Sequence, residues 1–462
     1  MANESDGFPE FSDFPELPEE FREFFEKLTS QGGQIDPAEL AGAAGFNLDP
    51  AALQGLISQI RAAAMNPGTV DWSAAEKHAL AGVEGTSSPI TEDYSDVFTI
   101  ADSWLSEQTS FTPVGHKAKT ITRADWVRLS MPIWLELAKP VANSVVDALS
   151  DLLTEQLGTE IGNIEVVMGP FAQVFSGTNP GQILKSMTAT MYAIQLGHSV
   201  AGLASEVISG GDIGIPLMSE AALLPQNIEK FGEGLDIDAT DIKHFVALRE
   251  LSFARLFNQI RWLGPEINSI IHSFANGFSI DIDAIRETAS EIDPSDPHSI
   301  RLALSSGALM PQRSEAQETA LARLEHLLAL IEGWVDHVTN SAAVRLEKAS
   351  AISEAVRRRR AAGGPAEKAF AQLVGLELRP KKLREASALW KYIGEQLGPE
   401  ARDALWQHPE SVPTAEDLES PEAFLKKLHT PRATDDMDLE LQKLLSQETD
   451  EGGDTSAKEE TE

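Results

Sequence analysis

The sequence contains no cysteine. That excludes disulfides, thiolate metal ligands and a cysteine nucleophile, and it fits a reducing compartment. Basic residues are scarce. Lys and Arg number 37 against 72 Asp and Glu, a formal net charge of −35. A chain this acidic lacks the basic face that nucleic acid or an anionic membrane surface requires, so neither is an expected partner. Aromatic residues make up only 6%, which leaves Leu, Ala, Ile and Val to fill the interior. Long apolar runs are missing too. The longest uncharged stretch, Ser186 to Ser205 (SMTATMYAIQLGHSVAGLAS), is interrupted by Ser, Thr, Gln, Gly and His. The transfer cost of those groups favours a buried helix over a membrane span. The opening MANESDGFPEF shows no basic region followed by an apolar one, so no secretory signal is expected and the expected location is cytoplasmic.

Several motifs are also absent. Gly210-Gly211 and Gly363-Gly364 lack the strand–loop–helix context and the Lys-Ser/Thr of a phosphate loop. No G-x-S-x-G elbow supports serine hydrolysis. No repeat of 20–50 residues and no sustained heptad is found. Strand signals are few, so the expected fold is mainly α-helical with little β structure.

The pattern that is present divides the 462 residues into four parts. Residues 1–32 are acidic and punctuated by Pro, with nine acidic against two basic residues before Thr29, and composition predicts disorder there. Within them Phe21, Phe24, Phe25 and Leu28 lie at i, i+3, i+4 and i+7. That spacing makes a short amphipathic helix, which either docks in a partner's groove or folds back on its own domain. Residues 33–66 form a linker and a helix. Residues 67–430 form a helical domain, and 431–462 are an acidic tail, predicted to be disordered.

Within the domain, Asp71 is placed to cap a helix starting at Trp72. A long helix is expected from Thr122 to Glu155, capped by Thr122 or Asp125 and kinked at Pro132 and Pro140. Asp212 to Leu224, which contains Pro216, reads as an extended piece or short hairpin. Gln317 to Arg360 is expected to be the longest helical run in the protein, with Leu321, Leu324, Leu327, Leu328 and Ile331 as its apolar stripe.

The stretch Asp241 to Phe257 (DIKHFVALRELSFARLF) also reads as a helix, with Phe245, Leu248, Phe253, Leu256 and Phe257 at roughly helical spacing. Its centre is Arg249-Glu250-Leu251-Ser252-Phe253. A zinc protease helix carries H-E-x-x-H in such a place. Two His one turn apart hold the metal, and the Glu takes a proton from the metal-bound water. Here the Glu stands between an Arg and a Phe.

An ordered set of segments resembles the zincin-like hydrolases described as zinc-dependent metalloproteases. It begins at Val70-Asp71-Trp72 and runs through Trp126-Val127 and the Gln195 to Gly202 segment QLGHSVAG. Asp212-Ile213-Gly214-Ile215-Pro216 and Val246-Ala247-Leu248-Arg249-Glu250 follow. Glu332-Gly333-Trp334-Val335-Asp336-His337-Val338 is similar to the family's E-G-x-x-D-H-V, and Arg357 to Arg360 with Gly375-Leu376-Glu377-Leu378 closes the set. The resemblance implies a zincin-like helical domain and zinc in active relatives. It implies Glu250 as the general-base position, Arg249 and Phe253 as the replaced histidine positions, Glu332 as the third-ligand position and Asp336 as a carboxylate behind it. An Arg cannot shed its proton to become a ligand, and a Phe has no donor atom. The expectation is therefore a family member without ordinary zinc-dependent peptide hydrolysis and with no resident cofactor.

Two alternatives stay open. One is a non-catalytic interaction protein that binds a peptide or partner through the retained cleft and acidic tails. The other is an active hydrolase with a displaced metal site built from His244, His337 and Glu332. Capping or structural roles are the plainer reading of His198, His244 and His337. A physical expectation follows for Arg249: its guanidinium pairs with Glu332 or Asp336 and supplies the positive charge that zinc would have supplied. The run Arg357 to Arg360, with Lys381, Lys382 and Arg384, reads as solvated pairing that favours a helix dipole, or else as a dock for an acidic partner or for the chain's own acidic tails. Oligomeric state and substrate are not legible.

Overall fold

The computed structural model describes residues 72–158, 180–276, 314–361 and 382–429. Asp71, the segment holding Phe21, Phe24, Phe25 and Leu28, the 33–66 linker and the 431–462 tail lie outside the described residues. So do Gly375 to Leu378.

The described chain is mainly α-helical. In order come α1 (Trp72–Glu84), α2 (Ser95–Leu105), α3 (Arg123–Gly158), α4 (Pro180–Ala204), α5 (Pro225–Gly232), α6 (Ala239–Gln259), α7 (Leu263–Asn276), α8 (Glu315–Ala342), α9 (Ala349–Ala361), α10 (Leu383–Ala404) and α11 (Pro421–His429). α1 packs on α4, α3 on α4, α2 on α6, and α8 on α6, α7 and α10. Small residues permit the closest of these approaches. A Cβ on Gly197 would lie 2.8 Å from the His78 side chain of α1, and one on Gly333 would lie 2.6 Å from Ala386 of α10. Gly197 belongs to the uncharged Ser186–Ser205 stretch, which is the packed helix its small residues predict. Among the described residues no helix is long and apolar enough to cross a membrane.

The Asp212–Leu224 segment does not form a hairpin. Its last residues, β2 (Ala222–Leu223), pair in parallel with β1 (Lys119–Thr120), Lys119 facing Ala222 and Thr120 facing Leu223. Ser209 adds an antiparallel bridge to Leu223. Leu224 then precedes Pro225, which starts α5 at a position where a missing N–H costs nothing.

The long helix α3 begins where Thr122 and Asp125 cap it reciprocally. Thr122 donates through N and Oγ1 to the Asp125 carboxylate, and the Asp125 N–H donates to Thr122 Oγ1. Its helical assignment continues through Pro132 and Pro140. The expected single run from Gln317 to Arg360 is corrected to two helices, α8 and α9, separated after Ala342. No Gly or Pro marks the break. Asn340 Nδ2 donates to the Asp336 carbonyl and Ser341 Oγ to the His337 carbonyl, and such bonds one turn back bend helices. Arg345 is then drawn aside to the Glu107 carboxylate and lies over the Trp104 ring.

Leu, Ile, Val and Ala dominate the core, as composition predicts. Tryptophan contributes more than its share of the sequence suggests: Trp126, Trp134, Trp334, Trp390 and Trp406 are among the largest fully buried side chains.

Candidate functional site

Helix α6 is the axis of the site. Asp238 caps it by accepting from the Thr240 N–H at 2.7 Å. Every residue from His244 to Phe253 is buried, so the helix has no solvent face at its centre. The apolar stripe read from the sequence is real, but the polar residues between its members are buried as well. Buried Arg249, Glu250 and Ser252 must therefore find partners inside the protein.

Arg249 Nη2 donates to Glu332 Oε2 at 2.5 Å. Of the two carboxylates expected for it, the partner is Glu332 on α8. Burial by itself would lower the Arg249 pKa, but the Glu332 carboxylate outweighs it and fixes the positive charge. The other oxygen of Glu332 faces a second guanidinium. Arg360 Nη2, from α9, sits 2.6 Å from Glu332 Oε1. This is a contact of charges rather than an aligned hydrogen bond, since Oε1 has no hydrogen-bond donor in good geometry. Glu332 is completely buried.

The rest of α9 reaches in as well. Arg360 Nη1 donates to the Asp212 carbonyl. Arg359 Nη1 meets both oxygens of the Asp212 carboxylate, at 2.9 and 2.6 Å. Burial pushes the Asp212 carboxyl up, but Arg359, Arg360 and the Ile208 N–H together hold it below the ordinary carboxylate range. Arg357 clasps Asp336 with Nε at 3.0 Å and Nη2 at 2.7 Å, and Ser387 Oγ of α10 donates to Asp336 at 2.7 Å. Only Arg358 stays at the surface, paired with Glu354 one turn away. The reading of Arg357 to Arg360 as a solvated run is thus corrected. Three of the four are engaged by carboxylates of α8 and of the loop after α4, and they are not a free dock for an acidic partner.

Glu250 takes a different direction from Arg249. Its carboxyl accepts the Gly211 N–H at 2.8 Å and the Ala222 N–H at 2.9 Å. Burial raises its pKa despite these two donors. The loop it holds, Ser209 to Pro216, lies against the site with almost no clearance. A Cβ on Gly210 would be 2.9 Å from Glu250 Oε1. Gly214 has φ of +89°, and a Cβ there would lie 2.8 Å from Glu332 Oε1 and 3.0 Å from Arg360 Nη2. Gly211 abuts the ring of Phe253. On the open side, Glu250, Phe253, Phe257, Met218 and Ile260 border a cleft of about 200 Å³.

A model of the zincin-like metallopeptidase family matches residues 70–425, more than three-quarters of the chain. The chain belongs to the zincin-like metallopeptidase family. The fold is shared with a crystal structure from Chloroflexus aurantiacus, described as a candidate hydrolase with a novel fold. That match has a TM-score of 0.52 and 16% identity, and covers 78% of this chain and 99% of the other. No curated protein matches by sequence.

The family implies zinc in its active members, which would need ligands at the positions of Arg249, Phe253 and Glu332. They do not fit. The first histidine position holds a buried guanidinium whose charge repels a cation, and Phe253 offers no lone pair. Both Glu332 oxygens are held by guanidiniums. Among the described residues no three His, Asp or Glu side chains converge as a metal requires. The histidines of the displaced site are not brought together. His244 bonds through Nδ1 to the Thr240 carbonyl and stacks on Trp104. His337 instead lines a groove of about 610 Å³ with Lys391 and Arg402, and burial, helped by Arg402, lowers its pKa to about 4. His198 faces His78 across the α1–α4 contact.

Sequence reasoning paired Arg249 with Glu332 or Asp336 because the family resemblance assigns these positions to one site. It missed Arg359 and Arg360 as site residues. Both lie in the segments that resemble the family, and so does Asp212. That recurrence was the available signal.

Proposed function

We propose that this family member does not hydrolyse peptides by the zinc mechanism. One observation carries the reading: Glu332 is bound on both oxygens by Arg249 and Arg360, at 2.5 and 2.6 Å. An arginine–carboxylate lattice takes the place in which a cation and its ligands would otherwise balance charge. Without a Lewis acid no water has its pKa brought toward neutrality, and Glu250 has no potent nucleophile to generate. Its carboxyl is committed to two backbone N–H groups instead.

A second reading is favoured by the cleft beside Glu250. Its volume of about 200 Å³ exceeds the roughly 150 Å³ apolar cavity that takes up benzene. Met218, Phe253 and Phe257 suit one apolar side chain of a peptide that is held and not cut.

The test is hydrolysis of a degenerate peptide mixture by the purified full chain, by the same chain after chelation, and by E250Q. The expected outcome is no cleavage above background in any of the three. Cleavage by the wild type that is abolished both by chelator and by E250Q would overturn the proposal. Binding of an apolar peptide that M218W blocks would support the second reading.

A further inference from the structure

We infer that Arg360, a residue outside the metal motif and on a different helix, independently bars Glu332 from metal ligation, so that restoring both motif histidines would not restore the site. The inference rests on the proposed function in taking the wild-type chain to hold no catalytic zinc.

The geometry separates the two arginines. Arg249 occupies Glu332 Oε2, and Arg360 occupies Oε1. Replacing Arg249 by His frees one oxygen only. Arg360 would remain, because nothing that holds it depends on Arg249. Its Nη1 is fixed by the Asp212 carbonyl. Its neighbour Arg359 is locked on the Asp212 carboxylate, and Arg357 on Asp336. These bonds pin α9 to the loop and to α8 on either side of the site. Gly214 completes the accommodation. With φ of +89° and no Cβ, it leaves room for Nη2, which a Cβ would approach to 3.0 Å.

A dication brought to Glu332 would meet a fixed guanidinium bound to the same carboxylate. Like charges at such a separation lower affinity by at least about tenfold at the effective dielectric of a protein interior. Arg360 itself is already under strain of charge: burial lowers its pKa, and Arg249 adds to that effect, while Glu332 opposes it. Removal of Arg249 leaves Arg360 in place against Glu332 Oε1.

The experiment compares R249H/F253H with R249H/F253H/R360A in the full chain, with R360A alone as control. Each is equilibrated with zinc sulfate and desalted. Bound zinc is counted, and the melting temperature is read with and without EDTA. The triple variant is expected to hold one zinc per chain and to lose melting temperature on chelation. The double variant is expected to need at least about tenfold more zinc to saturate. Equal binding by the two would overturn the inference, as would a folded triple variant that takes no zinc. Should the triple variant fail to fold, a double-mutant cycle of R360A and E332Q in the otherwise unaltered chain decides. Coupling of about tenfold in the unfolding constant is expected, and additive effects would overturn the inference. A wild-type chain that itself holds one zinc refutes the proposed function. Equal double and triple variants beside a zinc-free wild type refute only the role of Arg360.

Discussion

Removing the Arg249 guanidinium would leave Glu332 buried with one cation where it now has two. Breaking a buried ion pair by deleting one partner costs about 3–5 kcal/mol. Arg360 still faces Glu332, so R249A is expected to lose no more than the lower end of that range, read from urea midpoints with an unchanged slope. Glu250 gives a second test at this scale. E250A removes the acceptor of two buried N–H groups, Gly211 and Ala222, at about 1–3 kcal/mol each. A surface-like effect below about 0.5 kcal/mol for E250A would show that the carboxyl does not anchor the loop. Sequence reasoning reached Glu332 or Asp336 as the partner of Arg249 because the resemblance to the family implies that the two segments share a site. It could not assign Arg360 to Glu332. The two residues are on separate helices, and an arginine run is chemically as compatible with solvent as with a buried carboxylate.

At the scale of elements, α9 and the Ser209–Pro216 loop form a clasp over α6 and α8. Arg357, Arg359 and Arg360 each reach a carboxylate or carbonyl outside their own helix. R359A is therefore expected to raise amide hydrogen exchange in both the loop and α9 together, while α1 and α4 stay unchanged. Exchange confined to α9 would contradict a shared clasp. Helix existence was legible from apolar periodicity for α6, and for α4 from a long uncharged stretch rich in small residues. The break between α8 and α9 was not, since no Gly or Pro stands between Ala342 and Ala349. Side-chain bonds of Asn340 and Ser341 to carbonyls one turn back accompany that turn. The parallel pairing of β1 with β2 was equally hidden, because its two strands are two residues each and about a hundred residues apart in sequence.

For the molecule as a whole, buried charge makes stability depend on acidity. The folded pKa of Asp212 lies below the ordinary carboxylate value. Its contribution is present above that ordinary value and is lost as pH falls through the folded one. His337 titrates near 4 when folded, against 6.5 unperturbed. Between those values the unfolded chain binds the extra proton, so stability is lost as pH falls from about 6.5 toward 4. Glu250 has the opposite sign: its raised pKa favours the folded state on the acid side. H337N is expected to flatten the dependence between pH 4 and 6.5, by no more than about 3 kcal/mol. An unchanged profile in H337N would remove His337 from the explanation.

Family membership and the shared helical fold do not decide whether this chain holds a metal, and the proposal drawn from the arginine lattice is that it does not. The most direct measurement is zinc content per chain of the purified wild-type protein after equilibration with zinc and removal of loosely held ion. The expected result is well below one equivalent, with a melting temperature indifferent to chelator. One tightly held zinc per chain, with a melting temperature that falls on chelation, would contradict the view that Arg249 and Arg360 have taken the metal's place at Glu332.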